Sequence, residues 1–532
     1  MTTKTLRRDF LLGSAAAGLM AAAPSRLGAR SLEPASARRA GVWNVRDYGA
    51  RGDGQQMDTQ AIHAAIAACA SAGGGTVWFP AGKYLTGAVR LENNTNLHLD
   101  AGATILGSQD PKDYPVYPSP WPDGTRQISS LIYGENLTNV SLTGRGVIDG
   151  QGRAWWERLW LAHHRRGFPI PPLSEEQQRE EIAKIKFGRP RLIRLIGCRN
   201  VLIEGLTLTH SPAWTIHPLF CESVTIHGVT ILNPVPSPNT DGIDPESSRN
   251  VHISDCHIDV GDDCIAIKAG KNAIGRQVGK PCENITITNL TTRHGHGGVS
   301  IGSEMSGDVR NVAISNCVFQ GTDRGIRIKT KRGRGGIVEG VTASNIVMQD
   351  VPEAFYFTMY YGHAGGLNQK EPINAGTPRF RDFHMSNITA RGARVAGEVL
   401  GLAEMPIQEV TFSNIEIEAD KGFFCQNAHH LGFYDVQIET ASGPSLSTKR
   451  VRDLELDGFR CDRPHAGTPV IELEDTQDVF ARGCQAAAGT SVFIEARGKT
   501  TSGIILRGNH LDRAAKPVEF TEGASPAALS EK

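Results

Sequence analysis

The sequence predicts an all-β fold in which short parallel strands wind into a single solenoid, and three observations support it. Glycine is frequent, with 59 residues, while aromatic residues make up only 6% of the chain, a composition typical of short strands and turns. A short phrase of alternating polar and aliphatic residues recurs along the chain. Its copies are spaced at about the length of one solenoid turn, so one repeat domain accounts for most of the 532 residues.

The repeated phrase is a polar residue, then Val, Ile or Leu, then a second residue that is usually polar, then Ile or Leu. Seven copies begin at Asn96, Asn139, Asn200, Ser223, Asn250, Asn284 and Asn311. From position 201 the apolar anchors fall at 201, 224, 251, 285 and 312, in steps of 23, 27, 34 and 27 residues. Alternation buries one face of each strand, and stacking joins these faces into one core. The asparagines favour left-handed corners between strands.

Two helices are predicted beside the solenoid. Residues 58–73 begin with a capping aspartate, end in a glycine run and carry Ile62, Ile66 and Cys69 on one face. We expect this helix to cap the N-terminal turn, because an open strand edge invites aggregation. Residues 174–186 predict a second, highly charged helix. It lies within residues 155–190, which interrupt the repeat and which we interpret as an excursion over one face.

The first residues carry the pattern of a twin-arginine export signal. Arg7 and Arg8 precede an apolar run of small residues from Gly13 to Ala23. We expect residues 1–29 to be this signal, which takes the protein to the periplasm or outside the cell, and residues 41–520 to be the solenoid. A cytosolic protein with a basic, apolar start is the alternative. The apolar run is shorter than the ~20 residues that a membrane span needs.

Charge and cysteine content narrow the classes of partner. The chain has 56 basic and 56 acidic residues, which favours neither nucleic acid nor a membrane surface, so an acidic ligand must be held by local cations. Ten cysteines occur singly, without the spacing of a metal site. We expect most of them to pack as small hydrophobic residues, and we expect no metal and no cofactor. Disulfide pairing and oligomeric state do not follow from the sequence.

Four polar clusters follow one another at intervals close to one solenoid turn. They are Asn239-Thr240-Asp241-Gly242, Gly261-Asp262-Asp263-Cys264, Gly295-His296-Gly297 and Arg327-Ile328-Lys329. Equivalent positions on successive turns lie about 4.8 Å apart. The clusters therefore gather three carboxylates, an imidazole, a guanidinium and an ammonium on one outer face, a collection that no packing requirement explains.

Three neighbouring carboxyl groups meet the needs of glycoside hydrolysis. This reaction requires one protonated carboxyl to donate to the leaving oxygen and one ionised carboxylate to activate water or attack carbon. Repulsion among Asp241, Asp262 and Asp263 raises the pKa of one member, so one proton is retained while the other groups stay ionised. The imidazole can tune that proton, and the basic pair can bind a substrate carboxylate.

In this order the four clusters resemble the NTD, DD, GHG and RIK motifs of the glycoside hydrolase family 28 polygalacturonases, which degrade pectin. The resemblance runs from residues 48–54 (YGARGDG) to the last turns. It implies a right-handed parallel β-helix of the pectin lyase-like type and inverting hydrolysis of α-1,4-galacturonide bonds in pectin. Relatives that cut rhamnogalacturonan do not keep the full set of motifs, which favours homogalacturonan as the substrate here.

The resemblance also implies a role for each site residue. Asp262 is the general acid, Asp241 and Asp263 hold and activate the attacking water, and His296 assists the acid. The substrate-binding residues are Asn239, Arg327, Lys329 and Tyr361, with Tyr360 as the alternative to Tyr361.

Several single residues keep a second interpretation. His294 is an alternative to the imidazole of the third cluster, and Asp244 is interpreted as structural. Trp214 and His217 either line a sugar subsite or belong to the core or the cleft floor. The basic run at residues 329–334 is either solvated or holds a polyanionic chain.

Two other functions compete with hydrolysis. A polysaccharide lyase would bind galacturonan through aspartates and calcium and would use an Arg or Lys base, and a non-catalytic β-helix would only bind carbohydrate. Within the hydrolase interpretation we expect exo cleavage, because the excursion at residues 155–190 would close one end of the cleft.

Overall fold

The structure is a computed structural model that describes residues 41–163, 173–362, 366 and 368–530. The predicted export signal lies outside these residues. Within the described ranges, no helix combines the length and the hydropathy that crossing a bilayer requires.

Parallel strands stacked into three sheets form the right-handed parallel β-helix that the sequence predicts. One turn contributes a strand to each sheet, and each strand pairs with the equivalent strands of the turns before and after it. The first sheet contains Val42–Asn44, Gly75–Phe79, Thr95–Leu99, Thr138–Gly144, Arg199–Glu204, Glu222–His227, Arg249–Ser254, Cys282–Thr288, Gln477–Arg482, Ser502–Arg507 and Leu529–Ser530. The second contains Asp53–Met57, Gly82–Thr86, Ala103–Gly107, Val147–Asp149, Thr207–Thr209, Thr230–Leu232, His257–Asp259, Thr291–Arg293, Arg460–Cys461 and Gln485–Ala486.

The third sheet lies on the face that carries the predicted site. Its strands are Val89–Arg90, Ile132–Glu135, Ile193–Ile196, Ile216–Leu219, Asp263–Ile267, Gly297–Gly302, Arg324–Lys329, Glu353–Thr358, Pro469–Glu474, Val492–Arg497 and Lys516–Thr521. In the C-terminal half, longer strands bend around the corners and join more than one sheet. They are Val309–Gln320, Ile337–Gln349, Arg379–Leu400, Ile407–Thr440 and Leu446–Asp457.

The repeated phrase sets the register of the first sheet. The predicted anchors pair directly with one another on successive turns as Val201, Val224, Val251, Ile285 and Val312. All are buried in a core of aliphatic and aromatic side chains that runs along the solenoid. Each strand buries one face, so a shift of one residue would turn the apolar set outward, and this fixes the register.

Asparagines build the corners of the turns, as the sequence predicts. The backbone of Asn139, Asn200, Asn250, Asn284 and Asn311 is left-handed, with φ between 53° and 58°. Their side chains form amide ladders between turns. Asn200 donates to Asn139 at 2.7 Å, and Asn284 donates to Asn250 at 3.1 Å and accepts from Asn311 at 3.0 Å. Asparagine therefore suits these corners for two reasons. It tolerates the left-handed backbone, and its side-chain amide pairs with the asparagine of the next turn.

The predicted N-terminal helix is present at Thr59–Ser71 and contacts the first strands of the solenoid through its buried face. Asp58 stands at its N-cap position, but its carboxylate accepts from the backbone of Arg51 and Gly52 instead of from the helix. The expected capping interaction is therefore wrong, because the preceding turn offers nearer donors. That this helix caps the solenoid edge stays a prediction.

The excursion contains the helices Arg153–Ala162 and Glu175–Ala183, which contact each other. The second begins at a capping box formed by Ser174 and Gln177. An antiparallel hairpin of Val116–Pro118 and Arg126–Ile128 stands beside the third sheet, and a further helix spans Asn272–Val278. Short 3-10 helices occur at Val45–Tyr48, Pro111–Asp113 and Pro526–Ala528. All ten cysteines lie in the described ranges, buried and without disulfides.

The ladder predicts a graded loss of stability at Asn284. Asn284→Ala should lower the free energy of unfolding by about 2 kcal/mol, since it removes amide hydrogen bonds and places an alanine in a left-handed conformation. Asn284→Gly should cost only about 1 kcal/mol, because glycine adopts that conformation freely. Urea unfolding of both variants measures the difference. A glycine variant as unstable as the alanine variant would contradict the backbone part of this account.

Candidate active site

The four predicted clusters meet on the third sheet because their spacing matches its turns. Bridges between Ile243 and Ile265 align Asp241 with Asp263. On the following turns Asp263 pairs with Gly297, and the strand of Gly297 pairs with that of Arg327. Residues separated by 20 to 35 positions in the sequence thereby stand one above another, as predicted.

Carboxyl oxygens of Asp241, Asp262 and Asp263 lie within 4.8 Å of one another. The three groups differ in their access to solvent. Asp241 and Asp263 are buried, whereas 18% of the Asp262 side chain is exposed. Only Asp262 therefore offers a carboxyl group that can directly contact a molecule bound on the outer surface.

Asp263 is fixed in the ionised state by three donors. Arg327 Nη1 donates to Oδ1 at 2.8 Å, Lys329 Nζ donates to Oδ2 at 2.7 Å, and Ser300 Oγ donates to Oδ1 at 2.8 Å. Burial opposes ionisation, but the charges of Lys329 and Arg327 outweigh it and hold the pKa of Asp263 well below its ordinary value. Asp263 is therefore a fixed negative charge, and it positions both basic side chains.

Asp262 contacts the predicted imidazole. His296 Nδ1 lies 3.2 Å from Asp262 Oδ1, and Asn239 Nδ2 lies 3.5 Å from Oδ2. Burial favours the neutral form of Asp262, but the hydrogen bond with His296 outweighs it and lowers the pKa of the carboxyl. The same hydrogen bond raises the pKa of His296, whose side chain is half exposed. At the mouth of the site, each member of this pair therefore favours the charged form of the other.

Asp241 is the member of the cluster whose pKa is raised. Burial and the charge of Asp262 raise it to about 7, although Lys268 acts in the opposite direction from 3.6 Å. The cluster thus retains a proton into the neutral range, as the sequence argument expects, and in the ligand-free protein Asp241 holds it.

Lys268 is a central residue of the site that the sequence argument missed. Its ammonium lies 3.6 Å from both Asp241 and Asp244 and 3.9 Å from Glu304, and it is buried. These carboxylates raise its pKa despite its burial. The sequence signal that could have identified Lys268 is its position, because it is a single lysine directly after the apolar strand Asp263–Ile267. Asp244 is fully buried, and burial and the charge of Asp241 raise its pKa well above the ordinary value, with Lys268 acting in the opposite direction. Its structural role stays a prediction.

Tyr361 belongs to the site and Tyr360 does not. The ring of Tyr361 lies 5.6 Å from the guanidinium of Arg327 and 5.2 Å from the ammonium of Lys329. Tyr360 is buried on the other side of the chain, where Arg332 covers its ring at 5.6 Å. The structure therefore selects the first of the two candidates.

Residues 69–434 match the sequence family described as Glycosyl hydrolases family 28. This range covers more than half of the chain. The chain belongs to glycosyl hydrolase family 28. It is accordingly a glycoside hydrolase that acts on O-glycosidic bonds, which sets aside the lyase and the non-catalytic binding protein.

Relatives and solved structures named as polygalacturonases resemble this chain over 65% to 75% of its length. A probable polygalacturonase from Vitis vinifera is 36% identical over 392 residues, which cover 71% of this chain and 74% of that protein. An endo-polygalacturonase from Pectobacterium carotovorum subsp. carotovorum is 30% identical and covers 65% of this chain and 80% of its own length. The crystal structure of a hyperthermoactive exopolygalacturonase from Thermotoga maritima aligns with a TM-score of 0.66 at 32% identity, over 75% of this chain and 92% of that one.

Other candidates lie outside the carboxyl cluster of this family 28 site. His294 pairs with Asp259 at 2.9 Å instead of with a cluster carboxylate. His217 points outward from the third sheet but is fully covered there, with its Nε2 2.9 Å from Glu246. Trp214 is half buried between the cations of Arg191 and Lys268.

Two arginines of the basic run at 329–334 pair with carboxylates of the chain itself. Arg332 pairs with Glu404 at 2.7 Å, and Arg334 is buried, with its guanidinium 3.3 Å from Glu304. The solvated interpretation of this run is therefore wrong for these two arginines, because intramolecular carboxylates pair with them. That the run holds a polyanionic chain stays a prediction.

The three aspartates have the spacing that could also hold a cation. Lys268, Arg327 and Lys329 already supply positive charge to the same carboxylates. Bringing in a divalent ion would require these cations to move away, so this donor set fits amino and guanidinium groups better than a metal. Catalysis without a metal stays a prediction.

Removal of Lys268 should destabilise the protein in a pH-dependent way. Lys268→Met is expected to lower the free energy of unfolding by roughly 3 kcal/mol at pH 8, since Asp241 and Asp244 lose their buried partner. Their folded-state pKa values lie above the ordinary value. The loss should therefore shrink between pH 8 and pH 5, as the folded state takes up protons that remove the buried charge.

Urea unfolding at several pH values measures this loss, and Lys280→Met is the matched control. Lys280 is exposed and lies over the ring of Phe220, so its replacement should change stability little at any pH. A loss at Lys268→Met that is the same at pH 5 and pH 8 would contradict the electrostatic role.

Proposed function

We propose that this family 28 enzyme hydrolyses α-1,4-galacturonide bonds of homogalacturonan by acid and base catalysis. The observation that carries the proposal is one accessible carboxyl, Asp262, in a cluster whose other two carboxyls are buried. Of these two, Asp263 pairs with Arg327 and Lys329, and Asp241 lies beside Lys268. Polygalacturonases among the relatives support the substrate. Two local cations in a chain of zero net charge support recognition of an acidic sugar.

Asp262 is the general acid in this proposal. It alone can contact a bound glycosidic oxygen, because Asp263 is neutralised by two cations and Asp241 is buried. Asp241 and Asp262 repel each other and share one proton below a pH of about 7. A bound sugar displaces water from Asp262 and so raises its pKa. The shared proton is then donated from Asp262 to the leaving oxygen, with His296 orienting the carboxyl.

Asp241 and Asp263 hold and activate the attacking water. Transfer of the shared proton to Asp262 leaves Asp241 ionised and able to take a proton from water. Asp263 stays ionised throughout and supplies a fixed acceptor. Arg327 and Lys329, which Asp263 positions, face the galacturonate beside the cleaved bond together with Tyr361 and bind its carboxylate.

Inversion follows from the resemblance to the family and not from the spacing of the carboxyls. Closest oxygens within 4.8 Å are nearer than the 6.5–9.5 Å separation that is general for inverting glycosidases. In the mechanism that this resemblance implies, a water activated by Asp241 and Asp263 attacks while Asp262 donates a proton. No covalent intermediate forms, so the configuration at the attacked carbon is inverted.

Exo cleavage, from the end of a chain, is supported by the hairpin that covers the third sheet on the N-terminal side of the site. Arg194 and His217 point outward from the third sheet, yet they are only 2% and 0% exposed. The hairpin meets this region through Tyr117 near Arg194 and through Trp121 against Phe220. A wall on this side stops a polymer from passing through and leaves one end of the cleft open.

The end of the excursion is pinned beside the same wall. Arg189 donates to Asn239 Oδ1 at 2.8 Å and to the backbone of Pro212 and Pro238. The excursion thereby reaches the first catalytic cluster, as exo action requires. Export through the twin-arginine pathway brings such an enzyme to its polymeric substrate, and Arg7 and Arg8 support this route.

Asp262→Asn tests the acid. It should retain binding of oligogalacturonate and reduce turnover on polygalacturonate by roughly 10²–10⁴-fold, the contribution typical of a positioned general acid. Release of reducing ends measures turnover, and calorimetry measures binding. Asp259→Asn is the matched control, because Asp259 pairs with His294 outside the cluster. Full turnover in Asp262→Asn would remove this residue from the acid role.

Exo action and inversion are tested on the first products. Galacturonic acid monomer should accumulate from the earliest times, and proton NMR should detect the β anomer before mutarotation, as inversion of an α bond requires. A ladder of oligomers at early times would overturn the exo assignment. The α anomer as first product would overturn inversion and leave the hydrolase assignment intact.

A further inference from the structure

Beyond Arg327 the outward positions of the third sheet change in character. Arg327 pairs in register with Tyr356, Tyr356 with Glu398, and Glu398 with Phe424. Each step is about 4.8 Å, a distance comparable to the length of one sugar unit. These residues therefore continue the sugar-binding face on the side opposite to the hairpin wall, where a polymer must extend from the cleaved bond.

Residues that pair in register on successive turns form a column along the sheet. A second column begins three residues before Arg327, at Arg324, whose charge is already paired. Arg324 Nε lies 2.9 Å from Glu353 Oε2, and its guanidinium covers the ring of Tyr356 at 4.5 Å. Arg324 is therefore occupied by a carboxylate and an aromatic ring. The next basic position of this column is Lys421, two turns after Glu353.

Glu398 has no hydrogen-bond or ion-pair partner among the described residues, and it is half buried. The charged groups that face it are Glu353 and Arg324. Burial raises the pKa of Glu398, with Arg324 acting in the opposite direction. Burial and the charge of Glu398 raise the pKa of Glu353 to about 7. This part of the face thus presents the carboxyl of Glu398 and two half-buried aromatic rings, Tyr356 and Phe424. The carboxyl of Glu353 lies beside them, buried and paired with Arg324.

We propose that Tyr356, Glu398 and Phe424, with Glu353 at the edge, form a subsite for an uncharged sugar unit and take methyl-esterified galacturonate in preference to the free acid. The aromatic rings contact the apolar faces of a sugar, Glu398 accepts hydrogen bonds from its hydroxyl groups, and an ionised Glu398 repels a second carboxylate. This inference rests on the proposed function. It gives the enzyme opposite charge preferences at two places of one cleft, acidic sugar at Arg327 and neutral sugar at Glu398.

The test measures binding to the full chain carrying Asp262→Asn, so that the ligands are not cleaved. Hexagalacturonate and its methyl ester are titrated calorimetrically at pH 8 and low salt, where Glu353 is ionised and charges are weakly screened. Glu398→Gln is then added, and Glu495→Gln is the matched control. Glu495 stands on the same column four turns beyond Glu398.

Glu398→Gln should tighten binding of hexagalacturonate about threefold to tenfold, the size of one like-charge contact near a protein surface, and should change binding of the methyl ester less than twofold. Glu495→Gln should change neither. An equal change for both ligands, or weaker binding of the free acid, overturns the subsite alone. If neither ligand binds, both the subsite and homogalacturonan as the substrate are overturned.

Discussion

Parallel strands stack on one another turn by turn through backbone hydrogen bonds, and this stacking determines both the core and the catalytic face. It fixes the register of the apolar anchors from Val201 to Val312, and it sets a constant separation between side chains on the outer faces. The core and the catalytic face are thus products of the same pairing. A side chain that stabilises a corner, such as Asn284, also keeps the site residues in line.

Stacking like charges on one face has an electrostatic cost that neighbouring turns offset. Three aspartates would repel one another in a site that is mostly buried, so Lys268, Arg327 and Lys329 approach them from the same and later turns. The compensation is unequal. Asp263 receives two cations and stays ionised, whereas Asp241 receives one and keeps a proton near neutral pH. Similar residues thereby acquire the different states that acid and base chemistry needs.

Along the third sheet, the charge and the exposure of the outward side chains change from turn to turn. On one side of the cluster the hairpin and the end of the excursion cover outward polar residues such as His217, and on the other side Tyr356, Glu398 and Phe424 continue the open face. Because each turn adds one position to each column, charge and shape vary in steps along the axis. A linear polymer is well matched to such a surface, since its units repeat at a similar distance.

The sequence alone was enough to predict the solenoid, its register, its asparagine corners and the membership of the cluster, because these depend on periodic spacing along the chain. Asp241, Asp262, Asp263 and His296 could be placed together for that reason. It did not reveal Lys268 or the pairing of Arg332 with Glu404, and it left Tyr361 and Tyr360 unresolved. The folded chain was needed to resolve these points and to show which carboxyl is exposed and which retains the proton. Burial and the distance between charges arise from side chains that meet across turns, corners and loops, where no regular spacing encodes the contact.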